Sequence, residues 1–285
     1  MICTTIQNKT AEQILEALEQ CEMAEIRLDR CDLSAKQIED IFSSDVPLVA
    51  TCRIAEVAAT EPALQELPEP SRQAKALQIA ERRLVRAIEA GARYVDVELE
   101  APKEMSKRVR NAAHESGTVF IRSYHDFEAT ASTEALKAVV EKCLYHGADM
   151  VKVVTTANTA EDVDKVMSLY AWCDAEKEAG RSSTRKETIN PGTLADGGLI
   201  AFCMGEAGRQ SRLDCLKYGS PYTYAALNAQ EAAASGQWPA DEMRAAVYGD
   251  FGFIPRSAGD AEPEVLTMPV SKSFAQRAII AAALA

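Results

Sequence analysis

Lys152 sits in the stretch ADMVKVVT (148–155), among Val151, Val153 and Val154. A short β-branched run bounded by polar residues reads as a strand buried on both faces. An ammonium there is costly unless it is paired, wetted at the strand's end or deprotonated. Two readings follow: a lysine at the strand mouth paired with a carboxylate, or an amine kept neutral as a nucleophile.

Other polar residues fall at comparable places. In AEIRLD (24–29) Glu25, Arg27 and Asp29 share one face of a strand, while Ala24, Ile26 and Leu28 share the other. TCRIAE (51–56) supplies Arg53 and Glu56 at the end of a third strand, SYHDF (123–127) supplies His125, and GRQSR (208–212) supplies Arg212 where a strand gives way to a helix. Each has a structural alternative: an Arg27–Glu25 ion pair, a hydrogen-bonded structural histidine, a solvated helix arginine. Together, however, they all follow the last residues of strands. Several guanidiniums suit an anionic small molecule, because their planar donor forks match carboxylates and phosphates. Arginines and apolar walls lower a strand lysine's pKa, while Glu25 and Glu56 push the other way. A neutral amine, a carbonyl substrate and a nearby histidine make an imine enzyme.

The elements that must position these groups alternate along the chain. MICTTI precedes TAEQILEALEQC, in which Thr10 caps a stripe of Ile14, Leu15, Leu18 and Cys21. MAEIRLD, VPLVATCR, YVDVELE, TVFIRSYHDF, ADMVKVVTTA, GLIAFCMG and PYTYAAL are each followed by an amphipathic stretch, the one after VPLVATCR beginning beyond a Pro-rich loop at 61–71. Eight such units in about 250 residues favour a closed (β/α)8 TIM barrel over an open doubly wound sheet. Gly91, Gly117, Gly147 and Gly180 stand where helices need a left-handed cap. The polar stretch 181–198 reads as a loop.

Composition sets limits. A formal charge of -12 over 285 residues argues against nucleic acid as the main partner. The eight cysteines have no CxxC pair and no spacing suited to a metal, so they read as core residues of a cytoplasmic protein. The N-terminus has no basic segment followed by an apolar h-region, and no apolar run approaches the roughly 20 residues of a membrane span.

The chain resembles the type I 3-dehydroquinate dehydratases of the shikimate pathway. The resemblance rests on EIRLD at 25–29, TCRIAE at 51–56, SYHDF at 123–127, ADMVKVV at 148–154, QSR at 210–212 and SGQ at 235–237, in the family's order over nearly all of residues 1–250. It implies elimination of water from 3-dehydroquinate, without metal or cofactor, through a Schiff base on Lys152. It implies that His125 moves the protons and that Glu56 holds and polarises His125. Glu25, Arg27 and Arg53 would grip hydroxyl and polar groups, with Arg212 and Gln237 at the substrate carboxylate. Ala233 and Ser235 stand where the family's last loop carries a substrate-contacting serine and a proline, so one hydroxyl contact is lost or Ser235 supplies it. Thr5 matches an early family serine loosely. The implied partner is the small-molecule substrate, with neither nucleic acid nor membrane, and there is room for a homodimer.

Beyond residue 250 the chain turns linker-like to 266, then reads LTMPVSKSFAQRAIIAAALA, with a helix opening near Ser271 or Ser273. Residues 267–285 resemble the start of 5-enolpyruvylshikimate-3-phosphate synthase, with Lys272, Ser273 and Arg277 at its anion-binding positions. That implies a barrel fused to a second pathway enzyme, too short here to transfer enolpyruvyl groups. Two other functions stay open: a class I aldolase or transaldolase, with GEAG at 205–208 as a phosphate turn, or a catalytically silent barrel in a pathway assembly.

Overall fold

The computed structural model describes residues 1–179, 191–232 and 234–249. Two compact units divide the chain near residue 253, and the second lies outside the described residues, as do Gly180 and the linker and synthase-like segment expected after residue 250.

Eight parallel strands form one sheet that curls into a nearly closed α/β barrel, as the alternation predicts. They are β1 Ile2–Ile6, β2 Met23–Arg27, β3 Leu48–Thr51, β4 Tyr94–Glu98, β5 Val119–Asp126, β6 Met150–Thr156, β7 Leu199–Met204 and β8 Thr223–Ala226. The ladder runs from β7 down to β1 and on to β8. Nine helices clad it among the described residues: α1 Ala11–Leu18, α2 Ala35–Phe42, α3 Ile54–Thr60, α4 Glu69–Glu89, α5 Lys103–Ser116, α6 Thr133–Tyr145, α7 Ala160–Glu178, α8 Ser211–Lys217 and α9 Ala240–Tyr248. Thr10, Ser34 and Thr159 close capping boxes on α1, α2 and α7, satisfying amide groups that a helix start leaves without partners.

α3 is a correction to the sequence reading. The third strand stops at Thr51, so Glu56 stands on a short helix instead of a strand end. Arg53 is that helix's N-cap but offers no side-chain cap, and the Pro-rich stretch behind it folds as a 3-10 turn at Pro62–Leu64 and the first turn of α4. Part of the expected 181–198 loop is likewise a 3-10 turn, Pro191–Asp196.

The period of two along the strands separates the layers. Ala24, Ile26, Ala50 and Val95 face outward into the core beneath the helices. Their neighbours face the barrel axis. At its lower end, Tyr222 makes edge contacts with Tyr94 and Tyr224, each 5.5 Å between ring centroids, and fills the interior. Above these rings the inward positions become polar: Thr5, Glu25, Thr51, Asp96, Ser123 and Lys152, all buried.

Candidate active site at the carboxyl ends of the strands

Lys152 is 4% exposed, and the register sets it beside Ser123 of β5. Its Nζ donates to Asp96 Oδ2 at 3.1 Å, lies 3.7 Å from Glu25 Oε1, and stands 3.9 Å above the ring of Tyr224. The lysine is therefore paired with carboxylates, as the first of the two readings expects, and it also lines a pocket.

Asp96 is the residue that sequence reasoning missed. Its other oxygen accepts from Arg53 Nη1 at 3.0 Å and from Ser123 Oγ at 2.6 Å, and Arg53 Nη1 also donates to Ser123. Burial alone raises the Asp96 carboxyl; the Arg53 and Lys152 cations outweigh it and hold it well below the usual carboxylate range. Arg53 loses favour for its charge by burial, yet Asp96 and Glu98 more than restore it. A detectable signal existed: Asp96 interrupts the apolar run YVDVE as Lys152 interrupts MVKVV, and both demand a buried partner.

Glu25 accepts from Thr5 at 3.1 Å and Thr51 at 2.9 Å, so Thr5 acts here by orienting a carboxylate. Arg27 is turned toward Asp29 by two hydrogen bonds of 3.1 and 2.6 Å rather than toward Glu25. His125, half-buried, stacks on the exposed Phe127 at 5.9 Å between centroids, and its imidazole makes no hydrogen bond among the described residues. Burial, then the Arg53 and Lys152 cations, hold its imidazole well below its ordinary pKa. Glu56, expected to hold that imidazole, is bonded instead to Arg30 at 3.2 Å, and Arg30 also reaches Gln7 at 3.1 Å. Arg30 follows a tight turn after β2 and carries no periodicity that would have marked it.

Arg212 is 3% exposed, its guanidinium 4.5 Å from the centre of the Phe202 ring. It has no carboxylate partner among the described residues, its Nε has no hydrogen-bond partner, and burial lowers it to about 10. A solvated helix arginine is thus excluded.

One pocket of about 290 Å³ gathers Thr5, Glu25, Arg27, Arg53, Glu56, His125, Lys152, Arg212 and Gln237, with Arg30, Glu98, Phe202, Met204 and Tyr224 among the additional walls. Ser235 is exposed and absent from these walls, its carbonyl accepting from the Gly205 amide at 3.1 Å. Ala233 lies outside the described residues. The arrangement holds an amine, an imidazole and four arginines around a cavity sized for a small anion.

Residues 2–181 and 192–252 match the sequence model of the family "Type I 3-dehydroquinase". A 3-dehydroquinate dehydratase from Desulfotalea psychrophila is 33% identical over 247 residues, covering 85% of this chain and 95% of that protein. Among solved structures, 3-dehydroquinate dehydratase from Geobacillus kaustophilus superposes with a TM-score of 0.62 at 24% identity, over 87% of this chain and 89% of its own. The dehydroquinate dehydratase and shikimate dehydrogenase from S. pombe gives 0.58 at 21% identity, covering 86% of this chain and 43% of that one. The chain belongs to the type I 3-dehydroquinase family.

Proposed function

We propose that this chain removes water from 3-dehydroquinate through an imine on Lys152. The dehydration itself, a hydro-lyase step of the shikimate pathway toward aromatic amino acids, follows from the family and the similarity to its dehydratases. The residue roles are our reading, and one observation carries them: Lys152 Nζ faces a pocket that His125 and four arginines also line.

In this reading Nζ adds to the ketone carbon and the ketone oxygen leaves as water. The protonated C=N bond draws electrons from the adjacent carbon, so a neutral imidazole suffices as base. His125 takes the proton from that carbon and returns it to the departing hydroxyl, which leaves as water, and hydrolysis of the imine frees Lys152. Arg212, lacking a carboxylate partner among the described residues, is suited to the substrate carboxylate beside Gln237. Glu25, Arg27 and Arg53 address its hydroxyl and polar groups, and Glu56 acts on His125 only if substrate draws it from Arg30.

Borohydride added to the protein with 3-dehydroquinate should leave a reduced adduct on Lys152, located by peptide mapping. Turnover without any such adduct would refute the imine.

We assign residues 1–250 to the dehydratase barrel, 251–266 to a linker and 267–285 to a synthase-like start, a fusion in keeping with the two-activity S. pombe neighbour. Measured enolpyruvyl transfer by these 285 residues would refute the expectation that the last segment is inactive. Eight free, buried cysteines support a reducing, cytoplasmic setting, and no helix among the described residues is long and apolar enough to cross a membrane.

A further inference from the structure

A second cationic cavity lies outside the barrel, between α5 and α6. The flanking helix pairs pack closely, α4 on α5 and α6 on α7, but α5 and α6 barely touch. The gap they leave has a volume of about 490 Å³. Lys103, Ser106, Lys107 and Arg110 form one stripe of α5 at helical spacing, and Lys142, Tyr145 and His146 line the facing side at the end of α6.

The floor is Arg122 of β5, 2% exposed. Its Nη1 donates to Ser106 Oγ at 2.7 Å and its Nη2 to the Leu99 carbonyl at 3.0 Å, while its Nε has no hydrogen-bond partner among the described residues. At the other end Arg110 lies against Gly147, whose φ of 77° and missing Cβ leave room for the guanidinium. Five cations, Lys103, Lys107, Arg110, Arg122 and Lys142, thus line the groove against a single carboxylate, Glu100. None of them has an ion-pair partner among the described residues. The same field shows in His146, held below its ordinary pKa by burial and then by Arg122, Lys103 and Lys142. In a chain of net charge -12, five cations around one cavity against a single lining carboxylate cost repulsion unless something anionic relieves it.

We propose that the α5–α6 groove is a binding site for a small phosphorylated molecule carrying two anionic groups. From Lys103 to Arg110 the stripe runs about 10 Å at the rise of an α-helix, a span that two anionic ends of one metabolite can bridge. Phosphate oxygens accept from lysine and from the arginine fork alike. Arg122 supplies a fixed charge below, and Tyr145, 72% exposed, leaves one side open for the organic portion.

The test uses the full chain and inorganic tripolyphosphate as the probe, followed by calorimetry at about 0.15 M salt so that diffuse attraction is screened. Saturable binding at one site per chain is expected, weakened at least tenfold in a Lys107→Ala, Lys142→Ala double variant whose turnover of 3-dehydroquinate without the probe is unchanged. Arg122→Met is a secondary variant, since its loss also removes two buried hydrogen bonds. Absent or non-saturable binding, equal binding by the double variant, or displacement of the probe by 3-dehydroquinate would each overturn the proposal. So would a salt-sensitive dimer abolished by Lys142→Glu in a chain that ignores tripolyphosphate, because the groove would then seat a second copy.

Discussion

Asp96 joins Lys152 and Arg53 through opposite oxygens of one carboxylate, at 3.1 and 3.0 Å. One buried anion thereby fixes both the candidate nucleophile and the arginine beside it. Replacing it with asparagine leaves two cations close together without their shared counter-charge. Asp96→Asn should lower stability by about 3–5 kcal/mol, read by urea unfolding. It should also lower kcat strongly, because Nζ is no longer aimed. A variant as stable as the parent would contradict the account of the network.

Removal of the imidazole separates binding from proton transfer. His125→Ala should lower kcat by about 10²- to 10⁴-fold, yet borohydride should still trap an adduct at Lys152. Loss of the adduct together with turnover would assign His125 to imine formation instead.

The acid limb of the pH profile tests the same residue. Because burial and the neighbouring cations depress the imidazole, it stays neutral in the folded chain below the ordinary value of about 6.5. The log of kcat/KM should therefore remain level as pH falls through that value and decline only lower down. The sign for stability follows: the unfolded chain takes up the proton first, so folding is favoured above about 6.5 and progressively weakened as pH drops below it. An acid midpoint at the ordinary histidine value would count against this environment.

Arg212 should behave in the opposite way to Asp96. It is a buried cation with no counter-carboxylate among the described residues, so Arg212→Met should leave the fold as stable or more so, by Tm. KM should rise by about tenfold or more, the loss of a charge-assisted bond worth about 1.5–3 kcal/mol. A lower Tm with unchanged KM would make the residue structural.

Gly236 lies beside Gln237 in the loop that lines the pocket. Its φ is 75°, and an added Cβ would collide with the Gly205 carbonyl. Gly236→Ala should cost about 1–3 kcal/mol of strain and shift the loop, raising KM more than it lowers kcat in steady-state assays.

Why some of this was legible in the sequence is a matter of periodicity. Strands that alternate every second residue announce their inward faces, and strand ends mark the mouth, so the sequence itself places Glu25, Arg53, His125 and Lys152 there. The barrel itself followed from eight repeats of strand and helix. Pairing was not legible, because partners meet across strands distant in sequence: Asp96 lies 56 residues from Lys152, and Arg30 lies 26 from Glu56. Alternation puts both Glu25 and Asp29 on Arg27's face and does not choose between them; the strand ends at Arg27, and the turn that follows brings Asp29 to the guanidinium. α3 escaped notice because seven residues after an uncapped start carry too little pattern to separate a helix from a strand's end.

The tyrosines below Lys152 have a kinetic consequence. Among the described residues Tyr222 and its neighbours pack the lower barrel, and the pocket opens at the strands' carboxyl ends, so ligands exchange through the doorway at the top. Freshly made dehydroshikimate must back out along the route by which the next dehydroquinate arrives. The two compounds therefore compete for one vestibule, and accumulated product should slow the enzyme by occupying it.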